Sequence, residues 1–313
     1  MKPLAVVAIG GNSLIKDAAH QSVADQYLAV VESMRNLMPL FRNHRIVLTH
    51  GNGPQVGFIL IRSFLARSVL HEVPLDSCGA DTQGALGYQL QQALHNEFVR
   101  ERLPFTPVTV VTQVVVDQAD PEFHNPSKPI GPFYSQEQAA DVQARYGWTM
   151  REDAGRGWRQ VVPSPEPLEI LELNAIAHLV NDGYVTIAVG GGGIPVLKRP
   201  DGSLEGAIAV IDKDKASSLL ATQLQADLFL ISTSVEQVYL NFGKPNQMAL
   251  TDVRLSELRR YEAEGHFKAG SMLPKIVAVR RFLEAGGQHA IITSPELIDD
   301  ALLGKAGSHF YRD

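Results

Sequence analysis

The chain has 313 residues, of which 45% are hydrophobic and 20% charged, with 28 basic against 34 acidic side chains and a formal charge of −6. That balance excludes long-range disorder, collagen and a coiled-coil rod, and leaves no global basic field for nonspecific nucleic-acid binding. A single cysteine, Cys78, excludes an intrachain disulfide framework, and a chain this long buries enough surface to fold without one.

The first apolar run, Leu4–Ile9, is too short for a signal-peptide core or a membrane span, which predicts a soluble, cytoplasmic protein with no membrane partner. Its valines and the glycines after it predict a buried strand feeding a loop. Val23, Tyr27, Val30, Met34, Leu37 and Phe41 recur at helical spacing, and Ser22 with Asp25 gives a capping signal for that helix. Ile46–Thr49 reads as a second strand, ending in His50-Gly51-Asn52-Gly53-Pro54. Helices are expected around 55–70 and 82–102, the second with Leu86, Leu90, Leu94 and Phe98 on one face. Val108–Val116, rich in β-branched residues, reads as one strand.

The pattern then breaks. Residues 117–165 hold six of the 18 prolines. Proline removes a donor and fixes φ, so this stretch is neither an interior helix nor a central strand. A turn-rich segment between Trp148–Met150 and Trp158–Val162 suggests a hairpin. The reading is a small inserted, protruding subdomain that works as a lid, within a single domain spanning 1–313.

Alternation then resumes: a helix over 168–181, a strand over 184–189 running into Gly190–Gly193, and a helix with Ala216, Leu219, Leu220 and Leu224 on one face. A strand at 228–231, a helix over 274–285 ending at Gly286-Gly287, and late strands at 290–293 and 310–311 complete it. The expected fold is an α/β three-layer αβα open sandwich with a mainly parallel central sheet. Ligands of such sheets sit beyond the carboxyl ends of the strands, where the glycine clusters fall after Ile9, Thr49 and Val189.

These clusters suit a polyanion, because glycine admits close backbone approach and loop N–H groups attract phosphate. Each taken alone is equally a tight turn. A P-loop motif is absent, and the dinucleotide fingerprint fails, since its last glycine falls on Pro195 or Val196. Three lysines are set in rigid surroundings: Lys128 between prolines, Lys213 between Asp212 and Asp214, and Lys275 after Pro274. Phosphoryl transfer needs positioning and positive charge above all, so three such lysines suit it. A carboxylate between lysines would hold their heads, a role open to Asp214 or to Asp212. No H-E-x-x-H occurs and one cysteine makes no zinc cluster, so no metal ligand is assigned. His50 and Cys78 read as structural, and Trp148 and Trp158 as subdomain core.

Taken in order, these residues resemble the carbamate kinases, within the amino acid kinase family. The match runs through Gly10-Gly11-Asn12, Thr49–Gly57, Gln83-Gly84 with Gly87-Tyr88, Asn125–Tyr134 and Trp158–Pro165. It continues through Gly190–Val196, Val210–Asp214, Val238–Gln247, and Gly270-Ser271-Met272 with Pro274-Lys275. Asn125–Tyr134 is the most diagnostic block. The resemblance implies a homodimer that reversibly transfers phosphoryl between ATP and carbamate, giving ADP and carbamoyl phosphate, with Mg²⁺ accompanying the nucleotide. It implies that Gly10, Gly11, Asn12, Gly51 and Asn52 hold the carbamoyl phosphate side. Lys128, Lys213 and Lys275 would contact the transferring group, with Asp214 organising them. Gly191, Ser234, Tyr239, Asn241, Met272 and Pro274 would serve the nucleotide. Three departures stand out: Ser234 where the family has aspartate, Leu273 where glycine is common, and Asp81 where the position is usually uncharged. They leave an alternative: a catalytically weak or regulatory nucleotide-binding paralogue of the same fold.

Overall fold

Every residue of β1 (Leu4–Ile9) is buried. Leu4, Val6 and Ala8 join one hydrophobic cluster with Leu220, Phe229 and Phe282, while Ala5, Val7 and Ile9 join another with Met34, Phe41 and Phe98. A strand apolar on both faces requires cover on both, and the alternation along β1 sets three layers. The structure, a computed structural model, describes residues 2–10, 14, 20–153, 155–268 and 270–313.

After β1 come α1 (Val23–Asn43), β2 (Arg45–His50), α2 (Gly53–Ala66), α3 (Leu75–Glu101), β3 (Pro107–Thr109) and β4 (Gln113–Val115). Next are β5 (Lys128–Tyr134), α4 (Gln136–Tyr146), β6 (Met150–Glu152), β7 (Trp158–Val162), β8 (Glu169–Ile170), α5 (Leu173–Asn181) and β9 (Val185–Ile187). β10 (Ile194–Lys198), β11 (Leu204–Gly206), α6 (Lys213–Gln223), β12 (Leu228–Ser232), β13 (Val238–Leu240) and β14 (Met248–Leu250) follow. The chain closes with β15 (Asp252–Arg254), α7 (Leu255–Ala263), α8 (Leu273–Glu284), β16 (His289–Thr293), α9 (Ile298–Leu302) and β17 (Ser308–Tyr311).

The central sheet has the order β15-β17-β16-β12-β1-β2-β9-β3. The strands from β16 to β3 are parallel, and β17 runs antiparallel to β16. This is the expected mainly parallel sheet between helical layers. α1, α3 and α9 cover one face; α5, α6 and α8 cover the other. The capping box of Ser22 and Asp25 starts α1 where the sequence predicts it. Among the described residues no helix is long and apolar enough to cross a membrane.

Three expectations need correction. The single strand expected at 108–116 is two strands in different sheets: β3 joins the central sheet, and β4 joins a separate one of order β11-β10-β4-β8. The Gln83 side chain causes the break, taking the Thr112 N–H at 2.8 Å and donating to the Thr112 carbonyl at 3.1 Å. The helix expected from 168 starts at Leu173, because Glu169–Ile170 pairs with β4. α3 starts at Leu75, seven residues before the expected start at Thr82.

β5, β7 and β6 form an antiparallel sheet in that order with α4 beside it. β5, carrying Pro129 and Pro132, is an edge strand, where a missing N–H costs least. The hairpin expected before Val162 is β6–β7. Helix α4 escaped the sequence reading, although Ser135 and Gln138 form a capping box. This small unit packs on α2 in two places. Ile130 and Val162 meet Val56, Leu75 and Cys78 in a third cluster. Trp148 and Tyr146 meet the Phe64 ring at 5.5 and 4.0 Å. Between them the backbones touch: a Cβ added to Gly57 would lie 2.4 Å from the Gly131 Cα.

Candidate active site

β12, β1, β2 and β9 are neighbours, so the loops after Ile9, His50 and Val189 open at one edge of the sheet. Gly10 donates its N–H to the Ser232 carbonyl at 3.0 Å, and Gly51 donates to Ile9 at 3.0 Å. Those two glycines extend the sheet's hydrogen bonding, so their N–H groups are already engaged. The turn Gly190–Gly193 packs directly on the neighbouring loop. A Cβ on Gly190 would stand 2.4 Å from His50 Nε2, and one on Gly191 would stand 2.0 Å from Asn52 Nδ2. Glycine is required here because the loops interpenetrate. Asn52 donates to Thr82 at 2.8 Å, and Gln83 donates to the Gly190 carbonyl at 3.0 Å, so α3 braces both loops. His50 is fully buried, and burial pushes its imidazole down to about 4, against the pull of its contact with the Gly51 carbonyl.

The lysines converge beside these loops. Asp212 caps α6, accepting the Asp214 N–H at 2.9 Å, so Lys213 opens the helix and Asp214 lies buried in its first turn. One Asp214 oxygen takes Lys213 Nζ at 2.6 Å and the other takes Lys275 Nζ at 3.2 Å. Burial pushes the Asp214 carboxyl up, but the two ammonium groups outweigh it and hold the acid below the ordinary carboxylate range. Burial and the Lys275 charge push Lys213 below the usual lysine value, with Asp214 opposing. Thr49 of β2 shares a 2.6 Å hydrogen bond with Ser217 of α6, and Ser218 donates to the Ala278 carbonyl of α8 at 2.7 Å. These contacts fix the helices that carry Lys213 and Lys275 against the sheet and against each other.

Lys128 arrives from the other side. Its Nζ donates to Asp212 Oδ2, joining β5 to the start of α6. Burial works against its charge, but Asp212 outweighs it and raises the ammonium above the usual lysine value. The two carboxylates flanking Lys213 thus divide the work: Asp214 holds Lys213 and Lys275, and Asp212 holds Lys128. The sequence reading treated Asp212 only as a substitute for Asp214.

A cavity of about 740 Å³ opens next to this cluster, within the size range of small-molecule sites. Tyr239, Phe242, Phe267 and Met272 supply apolar wall, while Arg151 and Arg156 enter from the β6–β7 unit. Of the residues expected at the nucleotide, Tyr239 and Met272 line this cavity, and Gly191 belongs to the interlocked loops. The others do not line the wall. Ser234 is exposed, with Val235 and Gln237 lining instead. Asn241, at φ 52, meets His266 at 3.2 Å. Pro274 occupies the first turn of α8. Leu273, the second departure, packs on the core. Gly11 and Asn12 lie outside the described residues. Sequence reasoning missed Arg151 and Arg156, which carry no local motif, and it placed Gln83 in the Gln83-Gly84 match without its bracing role.

The amino acid kinase family model matches residues 3–294. The chain is 50% identical to the carbamate kinase-like protein YahI of Escherichia coli, covering 100% of both chains. It is 44% identical to a carbamate kinase of Thermococcus kodakarensis, covering 98% of this chain and 99% of the relative. A carbamate kinase from Giardia lamblia bound to AMP-PNP superposes with a TM-score of 0.92 at 42% identity, covering 100% of this chain and 99% of that one. With its fold, its lysine cluster and these relatives, the chain belongs to the amino acid kinase family and groups with the carbamate kinases within it.

Proposed function

We propose that the protein is a carbamate kinase, transferring phosphoryl reversibly between ATP and carbamate. A carbamate oxygen forms a bond to the γ-phosphorus while the bond to the β–γ bridging oxygen breaks. ADP leaves with that electron pair, and carbamoyl phosphate forms. The observation that carries the reading is the buried Asp214, whose two oxygens each hold a lysine, Lys213 and Lys275, beside the glycine loops. Such an array presents fixed positive charge to a phosphoryl group whose charge is spread over its oxygens. Lys128 adds a third ammonium from the β5–β7 unit. The carbamoyl phosphate end would meet Gly51, Asn52 and the loop after Gly10, and the adenine nucleotide would fill the cavity along Tyr239 and Met272. Mg²⁺ would enter with the nucleotide as part of the substrate, since Asp212 and Asp214 are engaged by lysines. Residues 117–165 act as a lid that brings Lys128 over the substrates.

A coupled assay of ATP formation from Mg-ADP and carbamoyl phosphate tests this, with Lys213→Ala as the blank. ATP above the blank is expected; nucleotide binding without turnover would instead make the chain a regulatory paralogue. We also propose a cytoplasmic homodimer. The exposed apolar side chains Leu65, Val69 and Leu70 at the end of α2 support self-association, and sedimentation velocity at micromolar protein measures it.

A further inference from the structure

The segments leading into and out of β5–β7 are tied together by carboxylates that the lysine cluster does not use. Pro163, Pro165 and Pro167 leave Ser164 and Glu166 as the only backbone donors on the exit segment between Val162 and Leu168. Both donors are taken by the entry segment, where Asp120 caps a 3-10 turn over Pro121–Phe123. Glu122 accepts the Ser164 N–H at 3.1 Å, and Asp120 accepts the Glu166 N–H at 2.9 Å. The same Glu122 carboxylate accepts the Ser127 N–H at 3.1 Å and its hydroxyl at 2.7 Å. Asp120 braces Glu122 in turn, accepting its N–H at 2.9 Å. Ser127 directly precedes Lys128, and Lys128 is paired with Val162 in the β5–β7 register. The clamp therefore closes one rung from the lysine. Glu166 carries the connection onward, since its carboxylate takes Lys215 of α6 and Arg281 of α8, the helices that begin with Lys213 and present Lys275.

We infer that Asp120 and Glu122 are positioning residues for phosphoryl transfer, clamping the base of the β5–β7 unit so that Lys128 stands at a fixed place relative to Lys213 and Lys275. This rests on the reading of Lys128 as a substrate contact. A displacement of about 1 Å at a reacting centre can cost roughly a hundredfold in rate, so two carboxylates remote from the substrate can matter through geometry alone.

A double-mutant cycle tests it. Glu122→Gln should lower kcat for ATP formation by about ten- to a hundredfold in the otherwise native protein. In a Lys128→Ala background it should change kcat by less than about twofold, because the group it positions is gone. Asp120→Asn should repeat the pattern, with melting temperatures within about 3 °C of the parent proteins. An equal loss in both backgrounds, or no loss in either, would overturn the proposal. Amide exchange supplies a readout that does not need turnover: both variants should speed exchange at residues 127–131 by at least about tenfold and leave α6 unchanged. If the native protein makes no ATP from carbamoyl phosphate, the assignment of the reaction falls. The clamp is then judged by exchange, and unaltered exchange at 127–131 rejects it.

Discussion

At the scale of single residues, buried charge decides most of what the site can do. Asp214 is the clearest case, since one buried carboxylate serves two ammonium groups. Asp214→Asn keeps the shape and removes the charge. It should lower kcat by about 10²–10³, the size of effect seen when one preorganised electrostatic group is lost, with secondary structure retained by circular dichroism. Near-native turnover would remove its organising role. His50 predicts a pH effect of definite sign. The folded imidazole takes a proton only near pH 4, whereas the unfolded one does so near its ordinary 6.5. Between those values the unfolded chain binds more protons, so stability falls as the pH drops through that window. That difference amounts to roughly 3 kcal/mol. Burial and the neighbouring His309 likewise push His289 down to about 4, so the native protein should lose stability twice over. Urea unfolding at pH 7 and pH 4.5 measures this, and His50→Asn should show the shallower dependence. Identical slopes would show that His50 does not titrate as a buried neutral group.

At the scale of elements, the sequence was legible where periodicity and capping agree and illegible where a distant side chain intervenes. The helix after Ser22 could be read because its capping box and apolar stripe are local signals. The end of β3 could not, because the break at Thr112 is imposed by Gln83, 29 residues away. The lysines of the site were legible through their rigid neighbours, whereas Asp212 was read only as an alternative to Asp214 and its helix cap came from the structure. Its partner Lys128 stands 84 residues away and shows no periodic relation to it. The packing of α2 on β5 gives a prediction that separates two glycines. Gly57→Ala would drive a methyl to within 2.4 Å of the Gly131 backbone, so β5 must shift. The variant should lose about 1–3 kcal/mol of stability and at least about tenfold in turnover, because Lys128 shifts with the strand. Gly131→Ala meets no atom within 4 Å but sits at φ +69, and should cost only about 1–2 kcal/mol of backbone strain. Comparing kcat and melting temperature for the pair separates the steric effect from the conformational one. Equal turnover in both would show that the glycine contact does not set the lysine.

At the scale of the whole molecule, the parallel sheet carries the glycine loops after His50 and Val189, while the β5–β7 unit meets the other described residues at separate places. They include the contact with α2 and the start of α3, the carboxylate clamp at its base and the ion pair of Lys128 with Asp212. The first two involve none of the site lysines, whereas the third is made by Lys128 itself. Asp212 therefore has two tasks, capping α6 and drawing Lys128 across the site. Asp212→Ser keeps a capping oxygen and removes the charge that attracts the lysine. In this variant the unit should open more readily. Small-angle scattering should then give a larger radius of gyration than for the native protein, and amide exchange across β5 should rise. Adding Mg-ADP with carbamoyl phosphate should return both to the native values, because bound phosphate offers Lys128 a stronger partner than the missing carboxylate. Scattering and exchange that match the native protein with and without the ligands would show instead that the α2 contact and the clamp alone hold the unit closed. The Lys128–Asp212 pair would then act on the chemistry and not on the motion.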